Sequence, residues 1–447
     1  MTRTIGRIAL LAVISAETTA WATERFGVVL QGGRVVDGTG SPWYVADVST
    51  GSEDPRMASF DRMIRRFLQE HHVPGAALAV TDGGRLVYAR GYGYADIAGR
   101  QKVTPTSLFR IASLSKPITA VAVLQLVERG RLSLEDKVFD ILKHEPHLEK
   151  GSLPDQRLRA ITIRHLLQHR GGWDPDVSFD PMFQSVKFAE ALGVDPPAGP
   201  DAIIRSMLGR PLDFDPGERY AYSNFGYCLL GRVIETLTGQ TYENCVKENV
   251  LAPLEIRSMR IGKTRPEQQD ANEVRYYDPG KGPSVFAVDL NEPVPSPCGA
   301  WYLEAMDSHG GWVGSAVDLA RFARAFDDPK QCKILTPESI EVMFARPPGA
   351  AGHEADGTPK EVYYSCGWLN RVVEEGSKFN RWHTGSLPGT AAILVRRHDG
   401  RNWVVLMNAR VSPHATHLAR AIDGLVHQAA DEVTEWLEHD LFPEFRN

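Results

Sequence analysis

The residue pattern with the clearest chemical meaning is a serine and a lysine, spaced as Ser113-x-x-Lys116. Pro117 and a nearly all-apolar run through Val127 follow, which predicts a buried helix because proline is tolerated in the first helical turn. Ser113 and Lys116 then lie on one face of the helix start. A hydroxyl becomes a nucleophile when a base takes its proton, and desolvation lowers the pKa of a lysine enough for it to serve. The pattern alone also fits a helix-capping serine beside a solvated lysine.

Two further polar patterns follow along the chain. The first is Tyr222-Ser223-Asn224, and the second is His383-Thr384-Gly385-Ser386, on a predicted strand near the C-terminus. Each is common by itself, and Tyr222 taken alone is more typical of a core or surface aromatic. The prediction of a shared site therefore depends on the three patterns occurring together and in this order.

The three patterns together resemble the motif series of the serine β-lactamase and penicillin-binding-protein superfamily, specifically its class C-like branch. That branch holds class C β-lactamases, D-alanyl-D-alanine peptidases, D-aminopeptidases and family VIII carboxylesterases. The resemblance covers residues 59–437 and includes His165–Gly172, which is similar to the family segment Leu-Leu-x-His-Thr-Ser-Gly. It also includes the run from Gly310 to Phe322. The resemblance implies a β-lactamase-like α+β fold.

The resemblance also implies how the reacting groups divide the chemistry. Ser113 would be the acylated nucleophile, and Lys116 and Tyr222 would take its proton and pass it to the leaving group. Which of these two is the base stays open. Asn224 would orient the acyl side chain and hydrogen-bond toward Lys116.

The C-terminal pattern would supply the rest of the site. The backbone N–H groups of Ser113 and Ser386 would form an oxyanion hole, in which each donor contributes about 10²–10³ in rate. His383, Thr384 and Gly385 would contact the substrate. No metal or other cofactor is implied.

His383 separates the candidate reactions. Lactamases and D,D-peptidases generally carry lysine there, and its ammonium anchors the substrate carboxylate. Histidine, with an ordinary pKa of about 6.5, is mostly uncharged at neutral pH. Family VIII esterases and several peptidase relatives likewise carry histidine or tryptophan at this position. Because an alcohol leaves more readily than an unprotonated amide nitrogen, the leading hypothesis is hydrolysis of small esters. The alternatives are an amide-directed relative (β-lactamase, D,D-peptidase or D-aminopeptidase) and a non-catalytic binding module. His383 could instead be a structural strand residue.

The surrounding elements that must position these residues form an α+β pattern. Helical spacing of apolar residues predicts a helix over 57–71, and strands 76–80 and 86–89 flank a hairpin turn at Asp82-Gly83-Gly84. Near the C-terminus, strands are predicted at 381–384, 391–395 and 403–407, with a closing helix over 416–437. We therefore expect one antiparallel sheet built from both chain ends, covered by the end helices, with a mostly helical insert over about 130–300.

The N-terminal region is expected to be separate. Arg3, Arg7, a short apolar run and Ala20-Trp21-Ala22 predict a signal peptide over 1–22, and hence a periplasmic or secreted protein. Residues 23–56 are predicted to be an extension with two short strands around a Gly32-Gly33 turn, which resembles the opening strands of D-aminoacylase-type amidohydrolases. The hydrolase domain is then expected over 57–447.

Composition narrows the remaining function classes. With 50 Lys+Arg against 56 Asp+Glu, the net charge of -6 and the lack of a basic block argue against nucleic-acid binding. No apolar run is long enough for a membrane span. The histidines show no paired metal-ligand spacing such as His-Glu-x-x-His, so a metal is not expected. The expected partner is a small-molecule substrate.

Overall fold

The computed structural model describes residues 54–373 and 378–445, and the strands 30–35 and 44–48 of the preceding region. The chain divides into two compact units, residues 1–58 and 59–447. The predicted signal peptide lies outside the described residues, so export stays a prediction. No helix among the described residues is long and apolar enough to cross a membrane.

In the first unit, strand β1 (Leu30–Val35) pairs antiparallel with β2 (Tyr44–Val48). Gly32 and Gly33 lie inside β1, so the turn predicted at these glycines is wrong. The pairing register shifts between Leu30 and Gly33. Glycine within a strand accommodates such an irregularity as readily as it forms a turn, which is why the sequence pattern was ambiguous.

The second unit contains thirteen strands among its described residues. In chain order they are β3 (Gly75–Asp82), β4 (Arg85–Asp96), β5 (Gln101–Lys102), β6 (Phe109–Arg110), β7 (Arg260–Ile261), β8 (Lys281–Pro283), β9 (Pro293–Pro295), β10 (Trp312–Gly314), β11 (Val362–Tyr364), β12 (Leu369–Val373), β13 (Lys378–Leu387), β14 (Thr390–Arg396) and β15 (Arg401–Met407).

The α-helices of the described residues are numbered in chain order from α1, whose first residue lies at the boundary of the two units. They are α1 (Ala58–His71), α2 (Ser115–Glu128), α3 (Val138–Ile141), α4 (Ile163–Leu167), α5 (Ser185–Leu192), α6 (Pro200–Leu208), α7 (Asn224–Thr238), α8 (Tyr242–Val246), α9 (Ala316–Arg324), α10 (Pro337–Phe344), α11 (Leu418–Ala421) and α12 (Asp423–Asp431).

The main sheet has eight strands in the order β11-β12-β13-β14-β15-β3-β4-β5, and every neighbouring pair is antiparallel. Strands from the two ends of the unit therefore meet where β15 pairs with β3. This confirms the predicted α+β fold with a sheet built from both chain ends. The hairpin predicted around Gly83 is confirmed, and the predicted strands 391–395 and 403–407 pair as β14 and β15 across a turn that contains Gly400.

The side chains of β15 point alternately to the two faces of the sheet, and they show what covers each face. Val404 and Leu406 join the large apolar core that includes residues of α9. Trp403 points to the other face, where its ring lies 4.6 Å from that of His427 in α12. On this face the Ser59 hydroxyl of α1 donates to the Ala429 carbonyl at 2.7 Å. The end helices thus pack on the sheet as predicted.

The closing helix differs from its prediction. It is divided into α11 and α12 and ends at Asp431, not near 437. Beyond α12 the Trp436 ring lies 6.1 Å from the Phe60 ring of α1, so the chain leaves the helical path where a large aromatic side chain packs on a distant element. This tertiary contact has no signature in the local sequence.

Helix α2 forms the centre of the second unit. Every residue from Ser115 to Leu126 is buried, because the helix is apolar on all sides and is enclosed by the sheet and by the segment that follows. Residues 130–300 contain the six helices α3–α8 and the three short strands β7–β9, and the bounds of the predicted insert stay a prediction.

Candidate active site

The backbone around Ser113 is held in an unusual turn. Strand β6 leads into a 3₁₀ turn, Ala112–Leu114, immediately before α2. Ala112 has φ of 48°, in the left-handed region that alanine seldom occupies. The Ser115 hydroxyl donates to the Ala112 carbonyl at 2.7 Å and helps to hold this turn. The tertiary structure therefore fixes the position of the Ser113 side chain.

Gly385 contacts this turn from the sheet. A Cβ atom at this position would lie 2.2 Å from the Ile111 carbonyl oxygen and 3.2 Å from the Ala112 Cβ. The sequence placed Gly385 among the substrate-contacting residues, but it does not line the pocket described below. Its role in the structure is to let β13 approach the backbone that carries Ser113.

We expect Gly385→Ala to slow reaction at Ser113. The added methyl group must separate β13 from Ile111, which destabilises the fold by about 1–3 kcal/mol. A displacement of the turn by about 1 Å would lower the rate at which a fluorophosphonate labels Ser113 by roughly 10²-fold. Thermal unfolding and the labelling rate measure the two effects.

The matched control is Gly424→Ala in α12, where a Cβ would meet nothing within 4 Å. Alanine is the better helix former, so this variant should label normally and be slightly more stable. Equal labelling of the Gly385 and Gly424 variants would show that the close approach of β13 is unimportant.

Lys116 directs its amine toward Ser113 from the first turn of α2. Its Nζ lies 3.1 Å from Ser113 Oγ, 2.8 Å from Asn224 Oδ1 and 2.9 Å from the His309 carbonyl oxygen. Lys116 is wholly buried, and this burial lowers its pKa well below the usual value. Three of the predicted residues, Ser113, Lys116 and Asn224, are thus brought together.

The partners of Nζ decide what a neutral amine does here. Asn224 Oδ1 and the His309 carbonyl can only accept, so they take the two N–H groups of an uncharged amine. The nitrogen lone pair is then left for the third partner, the hydroxyl of Ser113. This is the arrangement that a base for the Ser113 proton requires.

Tyr222 is the second group at the Ser113 hydroxyl. Tyr222 lines the same pocket as Ser113, and burial raises its pKa well above the usual value although the nearby Ser113 side chain lowers it. The Lys116 Nζ lies 4.7 Å from the Tyr222 ring centroid. Tyr222 is therefore a neutral phenol beside the nucleophilic oxygen, and Lys116 is the group whose pKa is moved toward neutrality.

The segment that contains His169 supports Tyr222 and Asn224. The Ala221 N–H donates to the His169 carbonyl at 2.9 Å, and the Ser223 N–H donates to His169 Nδ1 at 3.1 Å. The His169 and Tyr222 ring centroids are 4.3 Å apart. Burial lowers the His169 pKa well below its usual range, which keeps the ring uncharged and able to accept at Nδ1.

His383 is buried, and both of its ring nitrogens have protein partners. Its Nδ1 lies 2.7 Å from the Thr384 carbonyl oxygen and therefore carries the hydrogen, so Nε2 accepts from the Tyr364 hydroxyl at 3.2 Å. Burial, with a smaller effect of Lys116, lowers its pKa to about 3. His383 is thus uncharged at neutral pH and cannot act as the cationic anchor that lysine provides in lactamases.

These residues surround one pocket of about 450 Å³. Ser113, Tyr222, Asn224, His383, Thr384 and Ser386 line it, together with Ala112, Phe183, Tyr220, Met306, His309, Gly310, Tyr364, Leu369, Leu387 and Arg420. Most of the added residues are apolar or aromatic. Among the described lining residues, Arg420 is the one with a permanent charge. No cluster of three metal-ligating side chains occurs in the described part of the chain.

Sequence reasoning missed Tyr364, Arg420 and Asp180, which contacts Asn224. Tyr364 and Arg420 come from β11 and α11, far from any of the three patterns. Asp180 precedes a proline, and this pattern predicts only a cap for the short turn Pro181–Phe183. No local signal could have placed any of the three at the site.

An antiparallel sheet packed against a buried helix, with the lysine in the first helical turn and the serine in the 3₁₀ turn just before it, defines the class of β-lactamase-like proteins. The chain belongs to the beta-lactamase family, because the family model matches residues 60–427. Members of this superfamily are serine hydrolases.

Three proteins illustrate the similarity. Protein flp of Staphylococcus aureus (strain N315) is 30% identical over 350 residues, which are 78% of this chain and 62% of that protein. The chain therefore spans about three fifths of the length of this curated relative. The solved structure of EstCE1, a hydrolase with promiscuous acyltransferase activity, matches 85% of this chain and 99% of its own with a TM-score of 0.61 and 20% identity. The solved structure of D-amino acid amidase from Ochrobactrum anthropi SV3 matches 83% of this chain and 98% of its own, with a TM-score of 0.60 and 22% identity. At these identities the two structures show a common fold.

Proposed function

We propose that this protein is a serine hydrolase that cleaves carboxylic esters of small acids through an acyl-enzyme intermediate on Ser113. Ser113 Oγ bonds to the ester carbonyl carbon while its proton passes to the Lys116–Tyr222 pair. The same proton is then given to the alcohol oxygen as the bond from that oxygen to the acyl carbon breaks. Water attacks the acyl carbon in the second half, which releases the acid and restores the hydroxyl.

The other site residues have supporting roles in this proposal. The backbone N–H groups of Ser113 and Ser386 stabilise the negative charge that develops on the carbonyl oxygen. Asn224 orients the acyl side chain and holds Lys116. His383 and Thr384 form part of the pocket wall that contacts the substrate, whereas Gly385 acts through the position of β13.

The neutral state of His383 is the observation that carries the choice of an ester. Both ring nitrogens are occupied by Thr384 and Tyr364, and the pKa of about 3 leaves no charge there at neutral pH. An uncharged ester needs no ammonium at this position. The alcohol of an ester also leaves without the prior protonation that an amide nitrogen needs.

A substrate panel tests the proposal. We expect rapid hydrolysis of p-nitrophenyl acetate and butyrate, with a kcat/KM at least about 10²-fold above that for nitrocefin or for D-alanyl amides, since barrier differences of about 3 kcal/mol correspond to this ratio. Chain length from acetate to octanoate would then define the acyl pocket. Faster turnover of an amide or a β-lactam than of every ester would contradict the ester proposal.

The second candidate is an amide-directed hydrolase, and Arg420 is the observation that favours it. The Arg420 side chain is exposed and lines the pocket, and within the described residues it forms no ion pair. A guanidinium in this position could bind a substrate carboxylate in two parallel hydrogen bonds. It would then replace the missing lysine ammonium and suit substrates such as β-lactams or D-amino-acid derivatives with a free carboxylate.

The same panel on Arg420→Gln separates the two candidates. If the ester proposal holds, uncharged esters are hydrolysed equally well by both proteins. If Arg420 anchors the physiological substrate, KM for carboxylate-bearing amides rises by about tenfold or more in the variant, because a charge-assisted pair contributes about 1.5–3 kcal/mol.

A further inference from the structure

Asp180 contacts Asn224 from the side opposite Lys116. The Asn224 Nδ2 group donates to Asp180 Oδ2 at 2.6 Å, and the Met182 N–H donates to Asp180 Oδ1 at 3.0 Å. The carboxylate is partly buried at the start of the turn Pro181–Phe183. It does not line the pocket and does not touch Ser113.

The Asn224 amide has two different ends, and only one orientation serves Lys116. A carboxylate accepts hydrogen bonds but cannot donate them, so it selects the orientation in which Nδ2 faces Asp180. Oδ1 then faces Lys116 Nζ at 2.8 Å. In the reversed orientation an N–H group would face the amine, and the amine would lose an acceptor.

We propose that Asp180 is a positioning residue that fixes the Asn224 amide and thereby keeps the Lys116 lone pair directed at Ser113. This inference rests on the proposed function, because it assigns Asp180 a role in the formation of the same acyl-enzyme. Asp180 acts through Asn224 and makes no contact with the reacting atoms.

Asp180 also affects Lys116 through its charge. Its negative charge raises the lysine pKa, against the larger opposite effect of burial. The other titratable groups around Lys116 are Tyr222 and Tyr227, whose pKa values are raised by burial, and His169, His309 and His383, whose pKa values are lowered by burial. All five are uncharged at neutral pH. Burial also raises the pKa of Asp180, against the smaller effects of its hydrogen bonds and of the Lys116 charge. When ionised, Asp180 is the one negatively charged group among these contacts.

Two variants separate positioning from charge. Asp180→Ala removes the acceptor and leaves the Asn224 amide without a fixed orientation. Asp180→Asn keeps an oxygen that can accept from Asn224 and removes only the charge. Asp174→Asn is the matched control, since Asp174 is a buried carboxylate of the same loop that pairs with Arg219.

Labelling of Ser113 by a fluorophosphonate is the readout, because it reports the reactivity of the hydroxyl without requiring the natural substrate. We expect Asp180→Ala to label about 10–100-fold more slowly at pH 8, the range found when a group that orients a reacting side chain is removed. Asp180→Asn should recover most of this rate. With p-nitrophenyl acetate, the loss in Asp180→Ala should fall on kcat with KM little changed.

The pH profile gives an independent result. Protonation of Lys116 stops the reaction, so the labelling rate falls at low pH through the lysine pKa. Without the negative charge this pKa is lower, and the acid limb of both Asp180 variants should move to lower pH. Asp174→Asn should keep the wild-type rate and acid limb. If Asp180→Ala does not fold, the acid limb of Asp180→Asn still tests the charge.

Wild-type labelling rates and an unmoved acid limb in folded Asp180→Ala would overturn the inference. Equal slowing in the Asp174 and Asp180 variants would also overturn it, because a general disturbance of the loop would then explain both. Ser113→Ala distinguishes this failure from that of the proposed function. If Ser113→Ala still hydrolyses esters, the proposed function fails. If Ser113→Ala is inactive but the Asp180 variants behave like the wild type, the proposed function stands and only the positioning role of Asp180 fails.

Discussion

Ser113→Ala is expected to lose ester hydrolysis by about 10⁴–10⁶-fold while it remains folded. The loss is large because the acyl-enzyme route requires the Ser113 oxygen, and neither Lys116 nor Tyr222 is placed to form the same covalent bond. Stability should change little, since Ser113 Oγ lies within hydrogen-bond distance of Lys116 Nζ and does not cap the helix. The measurements are kcat/KM for p-nitrophenyl butyrate, intact mass after fluorophosphonate treatment, and thermal unfolding.

Ser178→Ala is the control for this variant. Ser178 is exposed on a loop, where its hydroxyl lies 3.0 Å from Asp213 Oδ2 and 3.2 Å from the Asp174 carbonyl oxygen. This variant should hydrolyse the ester and gain one fluorophosphonate adduct, as the wild type does. An adduct on Ser113→Ala, or activity within tenfold of the wild type, would place the nucleophile elsewhere and reject the acyl-enzyme assignment.

Lys116→Arg should lower kcat/KM by about 10²–10⁴-fold, the usual contribution of a positioned general base. A guanidinium can donate to Asn224 Oδ1 and the His309 carbonyl as Lys116 does, but it keeps its positive charge and has no lone pair for the Ser113 proton. The variant therefore preserves the charge and the donors of a protonated lysine and removes the base. The rates of p-nitrophenyl butyrate hydrolysis and Ser113 labelling measure the loss.

The exposed Lys137→Arg variant is the matched substitution outside the pocket, and it should be fully active.

The pH profile of the wild type adds a second test of Lys116. A lysine with its ordinary pKa of about 10.4 would make the rate rise about tenfold per pH unit from pH 7 to 10. Since burial lowers the Lys116 pKa, the rate should level off well below pH 10. A continued rise to pH 10 would show that Lys116 is not the base with the lowered pKa.

The local sequence determined the elements that carry the site. The run that follows Ser113-x-x-Lys116 is apolar on every side of a helix and is stable only when it is buried, so α2 could be predicted, with Lys116 in its first turn. Ser113 lies in the 3₁₀ turn just before the helix. Alternating or continuous apolar residues around the turns at Gly83 and Gly400 determined four of the sheet strands, because each signal lies within a few residues. Gly32 and Gly33 show where such reasoning fails, since a turn and a strand irregularity use the same residue.

Only the tertiary structure decided the chemical state of these residues. The pKa values of Lys116 and His383 depend on burial by elements far away in the chain, and the left-handed Ala112 is held partly by the close approach of β13 at Gly385. Asp180 and Arg420 reach Asn224 and the pocket through long-range folding, and their local sequences predict nothing beyond a capping residue and a place in the closing helix. Local patterns predict elements because the forces that form them act between near neighbours. Desolvation and side-chain partners depend on which distant residues fill the surrounding space.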